Sequence, residues 1–424
     1  MRICIYEDSG VDWLEPIALT RPAFALWCGA ERLFERQRRQ FAANEIGFWV
    51  RPALADLWKI EEPGHPVNDD DWLRKHATVW LNGRWLAAPE VQIDADSPHV
   101  GIVNGQIAYA VLPRGEAPAA TEINAWLDMW RKRLPMRAVR GALVDYLWEI
   151  IDQNGPALKQ DAVWFRAEHG SRMMPSNVAV TGPVEQLIVA ADATIEPFVF
   201  ADTRGGPVLI DRGAVVHSFS RLEGPCYVGR DSWIVGAKLR ANSTIGPCCR
   251  IGGEVEASIV QGYSNKVHDG FLGHSYVGEW VNLAAATQTS DLRNDYDVIR
   301  TTVNGKRLTT GRNKIGAYIG DHAKTGLAAL LNTGSTIGAF ASVLPNGSLL
   351  PQVIPSFCQV QQGQLQELWD LRKVFTAAAR VMQRRGQTLT DAHRDFYYGV
   401  FEATADARQQ TLRESEMRRL RRSM

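Results

Sequence analysis

The sequence predicts an α/β domain over residues 1–165, a left-handed parallel β-helix of hexapeptide repeats over 180–357, and α-helices over 362–424. Three observations lead to this fold class. Strand-like and helix-like segments alternate up to about residue 160. Aliphatic residues then recur at every sixth position between about Val184 and Phe357. Helical spacing returns after that.

Two arrays of residues carry the six-residue spacing. The first comprises Ile210, Val216, Leu222, Val228 and Ile234, and the second comprises Ile319, Thr325, Leu331, Ile337, Val343 and Leu349. Gly follows Ile245 and Ile251 between the arrays, and it follows three members of the second array. In such a solenoid three flat sides close one triangular coil, with the aliphatic side chains inside and small residues at the corners. A β-sandwich is the alternative, but its strands need a period of two with turns every 8–12 residues or so.

The first domain is predicted from short strands and helices. Residues 2–7 (RICIYE) predict a buried strand, and residues 25–41 (ALWCGAERLFERQRRQF) have the spacing of a helix with an arginine-rich face. Residues 78–87 (TVWLNGRWLA) predict a hairpin around Asn82-Gly83. Two further helices are predicted over 120–134 and 143–162.

The repeat is interrupted once and then ends. Residues 291–314 are polar and basic and are too long for a corner, so they predict a functional insertion. Two helices are predicted after the solenoid, over 364–385 and 391–422.

Composition excludes several classes of protein. Lys+Arg and Asp+Glu both total 47, and this balance argues against a nucleic-acid-binding protein. The six cysteines are scattered and predict reduced thiols, neither a disulfide framework nor a metal site. The N-terminus lacks the apolar stretch of a signal peptide, and no apolar run is long enough to span a membrane. We therefore expect a cytoplasmic protein without a membrane partner.

Polar motifs follow the first array. Lys266, His268 and His274 come first, and then the segments Tyr276-Val277-Gly278-Glu279 and Val281-Asn282-Leu283-Ala284-Ala285-Ala286-Thr287. In this order they resemble the Lys, His, Y-[LV]-G-D and V-N-[IL]-G-A-G-T elements of the bifunctional glucosamine-1-phosphate acetyltransferase / N-acetylglucosamine-1-phosphate uridyltransferase family. The chain is also similar to sugar nucleotidyltransferases that carry a β-helix tail. The resemblance implies a homotrimeric transferase of UDP-N-acetylglucosamine biosynthesis, with acetyl-CoA as co-substrate and a sugar phosphate or nucleotide-sugar as partner.

The resemblance also implies roles for individual residues. His274 or His268 is the expected catalytic base, because an imidazole can take the acceptor's proton near neutral pH. Both remain open, since His274 lies two residues before Tyr276 where the family's His lies three before its Tyr. The expected substrate-binding residues are Lys266, Tyr276, Asn282, Asp291, Arg293, Asn294 and Lys314.

The first domain departs from the nucleotidyltransferase pattern. Pro16, Thr20, Arg21 and Pro22 follow the family's order, but Ala23 stands where the family has a phosphate-binding Lys. Glu7 and Asp8 replace the glycine-rich phosphate loop, and Arg84 stands in place of the metal-binding Asp. Arg21, Asn82 and Arg84 are the candidate nucleotide-binding residues. Mg²⁺ is expected only if this domain is active, and no other metal is expected.

Three functions follow from these motifs. The first is an acyltransferase with a degenerate, shortened nucleotidyltransferase-like domain, and the Lys-His-Tyr order favours it. The second is a sugar-1-phosphate nucleotidyltransferase that makes an NDP-sugar, and Ala23 and Arg84 count against it. The third is a β-helix scaffold that senses a sugar nucleotide, and the alanines at 284 and 286 keep it open.

Overall fold

The computed structural model describes residues 1–116, 123–170, 177–368 and 370–423 of the chain. The chain divides into two compact units. The first unit comprises residues 1–14, 18–26 and 31–146, and the second comprises 15–17, 27–30 and 147–424. The predicted domain limits at 165, 180 and 357 stay predictions.

Eight helices, labelled in chain order, lie within the described residues. They are α1 (Leu33–Gln40), α2 (Ala55–Glu61), α3 (Asp70–Lys75), α4 (Ile123–Arg133), α5 (Leu147–His169), α6 (Leu371–Gln383), α7 (Asp391–Ala403) and α8 (Ala405–Ser423). None of these helices is both long enough and apolar enough to cross a membrane.

The first unit is built on a mixed six-stranded sheet, which confirms the α/β class. From edge to edge its strands are Glu45–Trp49, Arg2–Tyr6, Thr78–Asn82, Gln106–Leu112, His99–Val103 and Met136–Ala138. The first three are parallel, and Gln106–Leu112 runs antiparallel to both of its neighbours. Strand 2–6, predicted as a buried strand, lies inside this sheet, and Tyr6 and Trp80 belong to its apolar core.

Two local predictions in this unit are wrong. The hairpin predicted over 78–87 does not form, because Thr78–Asn82 already has a neighbour on each side, and Trp85–Ala87 pairs instead with Gly141–Leu143. The helix predicted over 25–41 begins only at Leu33. Its start is fixed by Arg32, whose backbone N–H donates to Glu35 Oε2 at 2.8 Å. Short strands, Trp27–Cys28 and Glu31–Arg32, precede it.

The second unit is a parallel β-solenoid with three sides, as predicted; its left-handed sense stays a prediction. The first side contains Ala179–Thr181, Phe200–Asp202, Arg221–Glu223, Lys238–Leu239, Glu254–Glu256 and Phe271–Gly273, followed by Gln288–Thr289 and Leu330–Leu331. The second side contains Leu187–Val189, Val208–Ile210, Cys226–Val228, Ser243–Ile245, Ile259–Gly262, Tyr276–Glu279, Ala317–Ile319, Ser335–Ile337 and Val353–Ile354. The third side contains Thr194–Ile195, Val215–Val216, Trp233–Ile234, Arg250–Ile251, Asn265–Lys266, Lys324–Thr325, Ser342–Val343 and Cys358–Gln361.

The six-residue arrays form the core of this solenoid. Strand register stacks Ile210, Val228, Ile245 and Val260 on the second side, and Val277 and Ile319 continue the column. All members of the first array are fully buried. In the second array Leu349 is the exception, because it is 63% exposed while Leu350 is buried. The loop at Pro345–Leu349 widens the spacing from Val343 to seven residues and shifts the inward position by one.

The insertion and the C-terminus differ in detail from the prediction. Residues 291–314 hold an antiparallel hairpin, Arg300–Val303 with Lys306–Thr309. The helix predicted over 364–385 is wrong in its first part, since Gln364–Glu367 pairs antiparallel with Cys358–Gln361 through a turn at Gln362-Gly363. Both turn residues have positive φ, 51° and 74°, as a tight hairpin requires. The helix predicted over 391–422 is divided into α7 and α8.

Candidate functional site

His274 occupies a corner between the first and second sides of the solenoid. It lies between strands Phe271–Gly273 and Tyr276–Glu279 and has a φ of 44°, in the left-handed region. Its backbone is held on both sides: its N–H donates to Glu256 O at 3.0 Å, and its carbonyl accepts from Gly316 N at 2.9 Å. The neighbouring coils therefore hold the backbone of this corner, and the side chain of His274 remains 20% exposed.

A carboxylate orients this imidazole. Nδ1 of His274 lies 2.7 Å from Oδ2 of Asp291, whose side chain is only 12% exposed. An ionised carboxylate can only accept, so the neutral imidazole that fits this contact has its proton on Nδ1 and its lone pair on Nε2. Nε2 has no hydrogen-bond partner among residues 1–116, 123–170, 177–368 and 370–423. The pair thus has the arrangement of a general base positioned by an acid.

A side chain at position 273 would displace Asp291 and Phe271. A Cβ there would lie 2.6 Å from Oδ2 of Asp291, closer than real Cβ atoms come. Asp291 is also tied to the end of the insertion, because its carbonyl accepts from Ile315 N at 2.9 Å. The insertion therefore positions the carboxylate of Asp291 next to His274.

Further charges surround this corner. Lys314, at the end of the insertion, lies 3.5 Å from Oε1 of Glu256 and is 44% exposed. Glu256 itself was missed by sequence reasoning, since the chain separates it from Lys314 by an entire coil and the insertion. Three predicted residues, His274, Asp291 and Lys314, thus lie at one corner of the solenoid.

Other predicted residues lie apart from the corner. Arg293 and Asn294 belong to the exposed part of the insertion, where Arg293 Nε donates to Asp295 at 2.7 Å. His268 and Asn282 are exposed and line a different cavity, next to the third side. Their substrate-binding or catalytic roles stay predictions.

Lys266 and Tyr276 are directed into the protein. Nζ of Lys266 donates to the carbonyl oxygens of Gly252 at 2.9 Å and Gly270 at 2.6 Å, and burial lowers its pKa to about 8. The hydroxyl of Tyr276 is fully buried, accepts from Trp27 N at 2.8 Å and lies 2.8 Å from Gln261 Oε1. Both side chains make hydrogen bonds within the solenoid unit. Their roles in substrate binding stay predictions.

In the first unit the candidate nucleotide site is filled by a salt-bridge network. Arg84 is 1% exposed, and Nε and one terminal nitrogen donate to the two oxygens of Asp8 at 2.8 Å each. The other nitrogen donates to Asp145 and to the carbonyl of Val144, and Gln106 accepts a fifth bond. Asn82 donates to Asp8 at 2.8 Å. Asp145 and Gln106 were missed by sequence reasoning, because they lie far from Arg84 along the chain.

This network does not fit a magnesium ion. The guanidinium already neutralises Asp8 and Asp145 from within, and a second cation beside it would be repelled. Within the described ranges no cluster of three or more His, Cys, Asp or Glu residues could hold a metal. Arg21 is also buried, and its carbonyl accepts from Arg51 at 2.9 Å.

One family model and several curated proteins match parts of this chain. Residues 3–169 match the family model of sugar nucleotidyl transferases. A bifunctional sugar-1-phosphate nucleotidylyltransferase/acetyltransferase of Sulfurisphaera tokodaii is 38% identical over 92 residues, 22% of this chain and 23% of that protein. The bifunctional protein GlmU of Jannaschia sp. is 32% identical over 169 residues, 38% of this chain and 34% of that protein. The chain thus resembles bifunctional nucleotidyltransferase/acetyltransferases, of which it matches about a quarter to a third of the length.

A solved structure, that of the polySia specific acetyltransferase NeuO, is 12% identical and covers 49% of this chain and 96% of that one, with a TM-score of 0.23. A TM-score of this size carries no argument, and the solenoid is established by strand register alone.

Proposed function

We propose that the protein transfers an acyl group, from acetyl-CoA, to an amino-sugar phosphate or a nucleotide-sugar at the His274 corner. One observation carries the proposal: Nδ1 of His274 is held by Asp291 at 2.7 Å while Nε2 stays open at a partly exposed corner. Acyl transfer to an amine or hydroxyl needs such a base. The relatives named as acetyltransferases support the choice of acyl group.

The step assigned to His274 is a proton transfer in two stages. Nε2 takes the proton of the acceptor's amine or hydroxyl as that group attacks the thioester carbonyl carbon. The tetrahedral intermediate then collapses, the carbon–sulfur bond breaks, and the imidazolium returns the proton to the departing thiolate. Asp291 stabilises the imidazolium between the two stages. Lys314 is placed to attract the phosphate of the acceptor, with Arg293 further out on the insertion.

The salt-bridge network around Arg84 argues against the nucleotidyltransferase alternative. The family model over residues 3–169 favours it, yet by the resemblance Arg84 stands where the family has its metal-binding Asp, and its guanidinium donates to Asp8. A scaffold that senses a sugar nucleotide needs no open base, so the free Nε2 of His274 counts against it. Assembly as a trimer, a cytoplasmic location and a place in UDP-N-acetylglucosamine biosynthesis are proposals from the resemblance. Light scattering would check the trimer.

The test measures free CoA released from acetyl-CoA with a panel of amino-sugar phosphates and nucleotide-sugars, with products identified by mass. His274→Gln should lower turnover by about 10²–10⁴-fold, since it removes the base and keeps a polar side chain. His268→Gln is the matched control, because His268 is exposed and lies on the third side. If His268→Gln alone abolishes turnover, the assignment of the base is wrong. If no acceptor on the panel yields free CoA, the acyltransferase proposal fails.

A further inference from the structure

The aromatic ring of Phe271 lies next to the His274 corner, on the first side of the solenoid. Phe271 begins the strand Phe271–Gly273, whose last residue directly precedes His274. Because Gly273 has no side chain, the ring can lie over it: Cζ of Phe271 is 2.4 Å from the position that a Cβ of residue 273 would occupy. Oδ2 of Asp291 is 2.6 Å from the same position. The edge of the ring and this carboxylate oxygen are therefore neighbours.

The strand that carries this ring is held by the coils on both sides of it. In the following coil, Oε1 of Gln288 accepts from the N–H of Phe271 at 2.7 Å, and Oγ1 of Thr289 donates to its carbonyl at 3.2 Å. The same Oγ1 accepts from the N–H of Gly273 at 3.1 Å. In the preceding coil, Glu254 is the partner of Phe271 in the parallel register. The side chain of Phe271 thus starts from a backbone that is fixed close to the corner.

An aromatic edge beside a carboxylate has two physical effects. The edge of the ring carries partial positive charge, so it is a favourable neighbour for an anion. The ring also takes the place of water on one side of Asp291, whose side chain is only 12% exposed. Opposite charges attract more strongly where water is excluded. The attraction between Asp291 and the imidazolium of His274 should therefore be stronger with the ring than without it.

We propose that Phe271 is a positioning residue for the base of this site. Its ring shields one side of Asp291 from water, keeps the carboxylate on Nδ1 of His274, and so stabilises the imidazolium that forms when Nε2 takes a proton. The effect on turnover rests on the proposed function. The effect on the contact between His274 and Asp291 does not, and it can be measured without any substrate.

The first test measures kcat and KM for release of free CoA. Phe271→Ala should lower kcat about tenfold or more and change the KM for acetyl-CoA little, because the ring acts on the base and not on the donor. Phe271→Met restores a long apolar side chain and should recover most of the loss. Phe200→Ala is the matched control and should keep the wild-type kcat. Phe200 occupies the same column of the first side as Phe271, four coils before it.

The second test is NMR on the full chain labelled with ¹⁵N-histidine. It follows the proton on Nδ1 of His274, whose resonance is assigned by its loss in His274→Gln, and measures how fast this proton exchanges with water. Exchange should be faster in Phe271→Ala, because water then reaches the contact with Asp291. Phe271→Met and Phe200→Ala should both exchange at close to the wild-type rate.

Lower kcat together with faster exchange in Phe271→Ala, both reversed in Phe271→Met, supports the proposal. A change in only one of the two quantities overturns it, as does Phe271→Met that behaves like Phe271→Ala. If Phe271→Ala fails to fold, Phe271→Val takes its place, because valine favours strands and is too short to lie over Gly273. If the wild type releases no CoA with any acceptor, the proposed function fails. The exchange rates then still decide whether Phe271 shields the contact, and unchanged rates overturn the proposal.

Discussion

Replacing Arg84 by methionine should destabilise the first unit strongly. The guanidinium is 1% exposed, and it makes five hydrogen bonds to Asp8, Asp145, Gln106 and the carbonyl of Val144. Methionine keeps most of the length and removes the charge. Asp8, whose side chain is 10% exposed, would be left without its cation. Breaking a buried pair in this way costs about 3–5 kcal/mol of unfolding free energy. Asp145 adds little, because it is more than a third exposed and screened by water.

The unfolding free energy that Arg84→Met loses should be larger at neutral pH than at acidic pH. Burial alone would raise the pKa of Asp8, but the hydrogen bonds and charge of Arg84 outweigh it and hold that pKa below its usual value. In the wild type this pair therefore stabilises above the unfolded pKa, near about 3.9, and the stability is lost as pH falls below it. In Arg84→Met both contributions of Arg84 are lost and only the hydrogen bonds from Asn82 and Gly10 still oppose burial, so the pKa of Asp8 rises and that protein loses less stability as pH falls. The difference in unfolding free energy between the wild type and Arg84→Met should be largest near neutral pH and should decrease towards pH ~4.

Urea unfolding at several pH values would measure the gap, and hydrogen exchange of peptides from strands 2–6 and 78–82 would locate it in the first unit. The double variant Asp8→Asn/Arg84→Met is the control. It removes both charges and should recover much of the loss, since replacing both partners leaves no buried ion. A loss below about 1 kcal/mol at neutral pH, or a gap that is constant with pH, would refute the assignment of a buried pair.

Three other outcomes are expected. Pyrophosphate release from UTP or TTP with a sugar-1-phosphate should stay at background, because by the resemblance Arg84 stands where the family has its metal-binding Asp; robust release would contradict this. Burial lowers the pKa of Lys266 to about 8, so between pH ~8 and ~10 the unfolded chain binds one proton more than the folded chain. The unfolding free energy of the wild type should therefore rise over this pH range relative to that of Lys266→Met. Equal pH profiles for the two proteins would disprove the lowered pKa. Ile319→Ala should cost about 2–5 kcal/mol by urea unfolding, whereas Leu349→Ala, at a 63% exposed position, should cost under about 0.5 kcal/mol; similar costs would contradict the assigned core.

The solenoid was predictable from sequence because its information is local and repeated. Each inward position, such as Val216 or Ile337, obeys the same spacing, so a single period defines many contacts. The prediction is wrong where one extra residue enters a coil, as at Leu349, because spacing alone does not reveal a longer corner. The hairpin at 78–87 is wrong for a different reason. Asn82-Gly83 is a strong local turn signal, but pairing with strand 2–6 and strand 106–112 leaves no edge for a hairpin partner.

The candidate site was only partly predictable. His274, Asp291 and Lys314 could be named from the resemblance, but the contact between His274 and Asp291 depends on how the insertion returns to the solenoid. Lys266 lies close to His268 in sequence, yet its ammonium is held by backbone carbonyls, because neighbouring coils present those oxygens to it.

Whether a polar side chain has all of its hydrogen-bond partners distinguishes structural residues from candidate functional residues in this chain. All five N–H groups of Arg84 have acceptors, so the network in the first unit is closed and needs no ligand to be complete. His274 has one ring nitrogen held by Asp291 and one open. A polar group that is oriented but unsatisfied is stabilised further when a ligand completes it, and this is the condition for binding or proton transfer. By that criterion the proposed chemistry lies in the solenoid unit, and the network around Arg84 is a structural part of the first unit.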